Sequence, residues 1–316
     1  MIGVSLPELE ATIKILDEDI AEAEILLEER EFIAKAATGI NRIADRLTPK
    51  LRRVFLATVK QFQNGLSLDD LITAIHSKNA NNVIRHLNLD KFAKELGVTG
   101  TVIQEAFNSA GKFAAMELTR DAKITTSFDL INPRAVDYGA RVSGALIKDI
   151  NSGQLDAVRA LVEDAFVSGV PPRETAMRIR DVVGLRDKQV EQYQKFRDSM
   201  EAQGIGADII DQRAEKLAGA MIRSRAETIS RTEIMDSANA GQAELWMQAR
   251  ENGLIDDRRT TRKWLIGPSA CDEICAPMED QEVGMDEDFE TGEGESIGRP
   301  PAHPRCVCSM RLVIKR

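Results

Sequence analysis

Aromatic residues are scarce in this sequence of 316 residues, because Phe, Trp and Tyr together make up only 4% of it. β-Sandwiches and β-barrels draw on aromatic and β-branched residues, so this scarcity disfavours both folds. Ala, Leu, Ile, Glu, Arg and Lys dominate instead, and 43% of the residues are hydrophobic, which is enough to fill a core. We therefore predict a folded, mainly α protein.

Several sequence signals are missing. No apolar run approaches the roughly 18–20 residues that cross a bilayer, and the N-terminus lacks the basic and apolar regions of a secretory signal. The chain contains no Walker or Rossmann phosphate loop, no HExxH and no GxSxG. We expect a soluble protein that is made in the cytoplasm, does not bind a membrane and is not an enzyme.

Acidic charge is concentrated in two segments. Residues 1–30 contain nine acidic and two basic residues, and residues 270–290 contain nine acidic residues and no basic one, within a net charge of −9. The rest of the chain is therefore basic and can present a cationic face to a polyanion. The global acidity argues against nonspecific nucleic-acid binding as the main source of its binding energy.

The pattern of apolar residues and helix breakers predicts three regions, namely 1–128, 129–253 and 254–316. The first is helical and begins with a heptad helix that packs in a bundle or docks on another protein, formed by Leu6, Leu9, Ile13, Leu16, Ile20, Ala23 and Leu27. The second is also helical. In it we predict helices from Pro133 to Ile150, Leu155 to Phe166, Pro172 to Val183, Lys188 to Ala202 and Ala207 to Asn252, separated by Gly153, Gly169, Gly184 and Gly204.

The third region, residues 254–316, is predicted to be a small α+β module. Arg262 to Ile266 is a candidate strand, and alternation from Cys308 to Ile314 predicts a second. Between them lies an acidic loop rich in Gly and Pro. The module has too few large apolar residues to be stable alone, and such modules usually need a staple.

The staple is predicted from the cysteines, all four of which lie in the last 46 residues. Cys271 and Cys275 form one pair, Cys306 and Cys308 form another, and His303 lies beside the second pair. Thiolate and imidazole are preferred ligands of Zn²⁺, so the pattern predicts a structural zinc site. Two alternatives stay open, namely thiols buried as small apolar groups and disulfides between the two pairs. A catalytic cysteine is poorly supported, because no group is available to orient His303 as a base.

A second candidate site is cationic. Two (i, i+4) pairs of opposite charge predict a salt-bridged solvent face between Met221 and Glu233. The alternative is a ridge that meets DNA phosphates, formed by Arg223, Arg225, Arg231, Arg258, Arg259, Arg262 and Lys263. Trp264 could stack on a base there, or it could anchor the C-terminal module.

Three motifs occur in an order that resembles the phage head morphogenesis family of minor head proteins, Mu F-like and SPP1 gp7-like. They are Ser230-Arg231-Thr232-Glu233, Arg262-Lys263-Trp264, and the terminal Pro300-Pro301-Ala302-His303-Pro304-Arg305-Cys306-Val307-Cys308. The resemblance covers roughly residues 130–312, so residues 129–253 would be the helical Mu F-like core. The chain departs from the family pattern where Val307 replaces an Arg, and where Met278-Glu279-Asp280 replaces a Leu-Asp-Gly turn.

The resemblance implies a minor capsid protein of a tailed phage or prophage that acts in head assembly and in DNA packaging or ejection. Its implied partners are the portal protein, the major capsid or scaffold protein and the genomic double-stranded DNA. Its implied location is the head interior or portal vertex of the virion, and the host cytoplasm during assembly. The rival hypothesis is a zinc-stapled nucleic-acid-binding protein that acts outside a virion.

Overall fold

The fold comes from a computed structural model that describes residues 39–315, without the side chains of residues 139–152. The predicted heptad helix of residues 6–27 lies outside the described residues. Within these residues nine α-helices precede the strands: α1 (Gly39–Gly65), α2 (Leu68–His76), α3 (Ala80–Leu87), α4 (Leu89–Leu96), α5 (Thr99–Glu117), α6 (Pro133–Ser168), α7 (Pro172–Val182), α8 (Asp187–Ala202) and α9 (Ala207–Glu251). No helix between residues 39 and 315 is long and apolar enough to cross a bilayer.

The helix ends follow local sequence signals. The Ser67 side chain accepts a hydrogen bond from the amide of Asp70 at the start of α2, and Asn132 does the same for Arg134 at the start of α6. Gly169 ends α6 with a φ of 71°, a left-handed conformation that glycine adopts without steric cost. These caps satisfy backbone groups that a helix end leaves without partners.

The 45-residue helix α9 organises the fold, and it packs most extensively against α5 and α1. Gly241 makes the approach to α5 close, because a Cβ at this position would overlap the carbonyl oxygen of Phe107. The larger apolar core contains buried residues from every helix, including Phe55 of α1 and Ile179 of α7. This core therefore contains residues from before and after the predicted boundary at residue 128. The division into three regions stays a prediction.

The C-terminal module confirms the predicted mainly α fold with a small α+β module. Its strands are β1 (Thr260–Leu265), β2 (Glu282–Gly284), β3 (Phe289–Glu290), β4 (Ser296–Ile297) and β5 (Ser309–Ile314). β1 lies between β2 and β5 and is antiparallel to both, while β3 and β4 form a separate pair. Side chains of β1 alternate between buried and half-buried, as expected for a strand with one covered face.

The module does not have a core of its own. A second apolar cluster combines Trp264, Phe289 and Met310 of the module with Leu245 and Trp246 of α9. Trp264 is fully buried and contacts the ring of Phe289 edge to face, with centroids 5.1 Å apart. This burial identifies Trp264 as the anchor of the module, and the module depends on α9 for its hydrophobic contacts.

One helix boundary was predicted wrongly. α6 runs without a break from Pro133 to Ser168, so Gly153 lies inside it and does not separate two helices. A glycine inside a helix costs only about 1 kcal/mol relative to alanine, which neighbouring turns and packing can offset. The helices predicted after Gly169, including the long one that begins at Ala207, are confirmed within a few residues.

Candidate metal centre

The loop after β1 contains Cys271 and Cys275 and places them near Cys306 and Cys308. A Cβ at Gly267 would overlap the carbonyl oxygen of Val307, so a glycine there allows this loop to touch the chain between Cys306 and Cys308. The amide of Ala276 then donates to the carbonyl of Cys271 at 3.0 Å, closing a turn around Cys275. Cys275 is fully buried and belongs to the second apolar cluster.

A tight turn positions the second group of donors. The amide of Cys306 donates to the carbonyl of His303 at 3.1 Å, and Arg305 has a φ of 64°. Proline at the second position and a positive φ at the third define a type II β-turn, here formed by His303, Pro304, Arg305 and Cys306. The turn places the side chains of its first and last residues near each other.

The two groups meet at the side chain of His303. Its Nε2 lies 3.3 Å from Cys271 Sγ and 3.1 Å from Cys275 Sγ. Its Nδ1 lies 2.8 Å from the carbonyl oxygen of Pro304, which can only accept a hydrogen bond, so Nδ1 carries the proton. Nε2 is therefore the ring nitrogen that faces the two thiols, and in the neutral imidazole it is the nitrogen that can bind a metal.

The five donors form two overlapping sets that share Cys275. The donor atoms of Cys271, Cys275 and His303 lie within 4.8 Å of one another, and so do those of Cys275, Cys306 and Cys308. Cys275 Sγ and Cys306 Sγ are 3.8 Å apart, which is the separation of about 3.8 Å that two thiolates have in a tetrahedral zinc site with Zn–S bonds of about 2.3 Å. The cluster can hold a metal ion.

Burial and hydrogen bonding shift the pKa values of the buried thiols in different directions. Burial raises the pKa of Cys275 to about 12. A hydrogen bond from the Cys308 thiol lowers the pKa of Cys306 to about 5, and the same hydrogen bond, together with burial, raises the pKa of Cys308. All four cysteines are free, so the structure contains none of the disulfides that were considered as an alternative.

The terminal motif and the residue just before it also contact α9. The amide of Arg305 donates to Thr232 Oγ1 at 3.0 Å, and the side chain of Arg299 pairs with Asp236 at 2.8 Å. Asn239 donates to the carbonyl of Cys308 at 3.3 Å. Thr232 belongs to the Ser230–Glu233 motif, whereas Asp236 and Asn239 were not predicted from the sequence, because single polar residues on a helix carry no mark of a contact some seventy residues away in the chain.

The seven predicted DNA-binding residues do not form one exposed ridge. Three of them are buried: Arg225 donates to the carbonyl of Gly184, Arg231 pairs with Asp45, and Arg262 donates to backbone carbonyls of residues 284, 287 and 298. Lys263 pairs with Asp280 at 2.9 Å. Arg223, Arg258 and Arg259 are exposed. Because their charges are taken up inside the protein, Arg225, Arg231 and Arg262 are structural in this fold.

The simple salt-bridged face predicted for this part of α9 is also incomplete. Glu227 pairs with Arg52 of α1 at 2.9 Å, and Arg231 likewise reaches α1 through Asp45. Charged residues of α9 therefore join two helices, in addition to any contacts along their own helix. Charge spacing within one helix could not have revealed these partners.

The fold and the site together define a helical protein with a small α+β module that carries a partly buried Cys/His cluster. Comparison with models of known families, with curated proteins and with solved structures found no match.

Proposed function

We propose that the cluster binds one structural Zn²⁺. Its ligands would be Cys271, Cys275, Cys306 and one of His303 or Cys308. Three observations support zinc in particular: the donors are sulfur and nitrogen, Cys275 Sγ and Cys306 Sγ are spaced as in a tetrahedral site, and His303 Nε2 faces two of the thiols. A site with four protein ligands has no open position for a substrate, so its role is structural and not catalytic.

The zinc would hold together a module that has little core of its own. The cluster joins the loop at residues 271–275 to the turn at residues 303–306, and the acidic loop between them is closed by this junction. Binding energy of a structural zinc is available to folding because the unfolded chain has no preformed site. The metal would therefore add to the apolar contacts that the module shares with α9.

We further propose that the chain is a minor head protein of a tailed phage or prophage, associated with the portal and acting in head assembly and in genome packaging or ejection. The observation that carries this proposal is the contact between two motifs of the resemblance, in which the amide of Arg305 donates to Thr232 Oγ1. Motifs that are far apart in the chain and form one structural unit support a common origin for the unit more strongly than separate matches would.

Purified particles provide the test. The phage or prophage that encodes this chain is grown, procapsids and mature heads are isolated, and both are analysed by mass spectrometry. We expect the chain in procapsids in a few copies, and we expect a tagged chain to capture the portal protein. Its absence from both kinds of particle, combined with salt-dependent DNA binding by the free protein, would contradict this proposal and favour the nucleic-acid-binding alternative.

A further inference from the structure

Arg305 occupies an unfavourable position in the turn that carries two of the candidate ligands. The third residue of a type II turn has a positive φ and is usually Gly or Asn, because other side chains meet the backbone there. Arg305 has a φ of 64°. A large side chain at such a position indicates that the side chain has a role that glycine would not fulfil.

The contacts of Arg305 identify this role. Its side chain extends along α9, where Nε donates to Thr228 Oγ1 at 2.7 Å and Nη2 donates to the carbonyl of Ser224 at 3.1 Å. Its amide donates to Thr232 Oγ1 at 3.0 Å. Ser224, Thr228 and Thr232 are spaced by four residues and therefore lie on one face of the helix, so one arginine contacts three successive turns.

We propose that Arg305 is a positioning residue that holds the His303–Cys306 turn against α9, so that metal binding and docking of the module are coupled. This inference rests on the proposed zinc centre. His303 and Cys306 lie two residues before and one residue after Arg305. Movement of the turn away from α9 would therefore move one imidazole and one thiol away from Cys275. Conversely, a metal bound to both ligand groups keeps the turn in the position in which Arg305 reaches the helix.

Arg305→Gly tests the proposal directly, because glycine keeps the turn and removes only the side-chain contacts with α9. Arg258→Gly is the matched control, since it removes an exposed arginine of the same module that lies in a short 3₁₀ helix. Zinc affinity of the full chain is measured by competition with a chromophoric chelator. Hydrogen exchange of residues 299–308 is measured on the zinc-loaded protein.

We expect Arg305→Gly to bind zinc at the wild-type stoichiometry, with an affinity about 10-fold lower, the low end of the range for groups that hydrogen-bond a ligand directly, because Arg305 acts through the turn. Exchange in residues 299–308 should be faster than in the wild type. Thr228→Val removes one acceptor without altering the turn, so it should weaken zinc binding in the same direction, and the double variant should lose less than the sum of the two effects. Arg258→Gly should match the wild type.

Two results would overturn the inference, and they have different meanings. Unchanged zinc affinity and exchange in both Arg305→Gly and Thr228→Val would show that contacts with α9 do not position the site, while the zinc centre itself would stand. A wild-type chain that binds no zinc would overturn the zinc centre and this inference together. If Arg305→Gly does not fold, Thr228→Val alone decides, because it leaves the turn untouched.

Discussion

Replacement of Cys275 by serine should destabilise the C-terminal module in a zinc-dependent way. Cys275 is fully buried and is the one donor shared by both ligand sets, so its removal disrupts either choice of ligands. Zinc that binds only the folded state stabilises it by about 2.7 kcal/mol when free zinc is 100-fold above the dissociation constant, and by about 4.1 kcal/mol at 1,000-fold. We therefore expect Cys275→Ser to lose roughly 3–4 kcal/mol in zinc-containing buffer.

The assay compares wild type and variant with zinc and with a chelator. Hydrogen exchange in residues 260–314 reports on the module, and exchange in α1 to α5 reports on the helical core, which should be unaffected. In chelator the two proteins should differ less, by about 1–2 kcal/mol, because the serine hydroxyl is buried among apolar side chains. An equal loss with and without zinc would refute the reasoning and would mean that Cys275 is a buried apolar group.

Three other predictions concern packing, buried charge and DNA. Gly241→Ala should destabilise the fold by about 1–3 kcal/mol in urea unfolding, because the new Cβ would push α9 away from the backbone at Phe107, and wild-type stability would contradict that contact. Arg197→Met should lower the free energy of unfolding by about 2–4 kcal/mol, because the Arg197 side chain is 2% exposed and pairs with the carboxylates of Glu174 and Asp211. An unchanged free energy of unfolding would mean that these ion pairs contribute little. The double charge reversal Arg258→Glu with Arg259→Glu should weaken any DNA binding and reduce its salt dependence. Fluorescence anisotropy at two salt concentrations measures this, and an affinity that does not depend on salt would contradict phosphate contacts.

The helical architecture could be predicted because its signals are local. Glycine at Gly169 and proline at Pro133 mark helix ends through backbone conformations that no distant residue needs to supply. Alternation of apolar residues likewise predicted the final strand, β5. Gly153 misled the prediction since its small intrinsic cost is outweighed when the chain on both sides continues as a helix.

The candidate site could be predicted only in part. Cysteine and histidine are rare in this chain, so their clustering in the sequence was informative, and the structure brings all five donors together. Arginines are common, and their sequence pattern is the same whether they face solvent or a buried partner. Arg231 illustrates this, because its partner Asp45 belongs to another helix that lies 186 residues earlier in the chain. Only the tertiary packing of α1 on α9 reveals that pair.

The zinc content of the wild-type chain tests the central claim most directly. The protein is expressed without added chelator, purified and analysed by inductively coupled plasma mass spectrometry, with thiols titrated in parallel. We predict about one zinc per chain, and none in the double variant Cys271→Ser with Cys306→Ser. A metal-free wild-type protein whose C-terminal module is fully ordered and whose four thiols are all unmodified would contradict the claim.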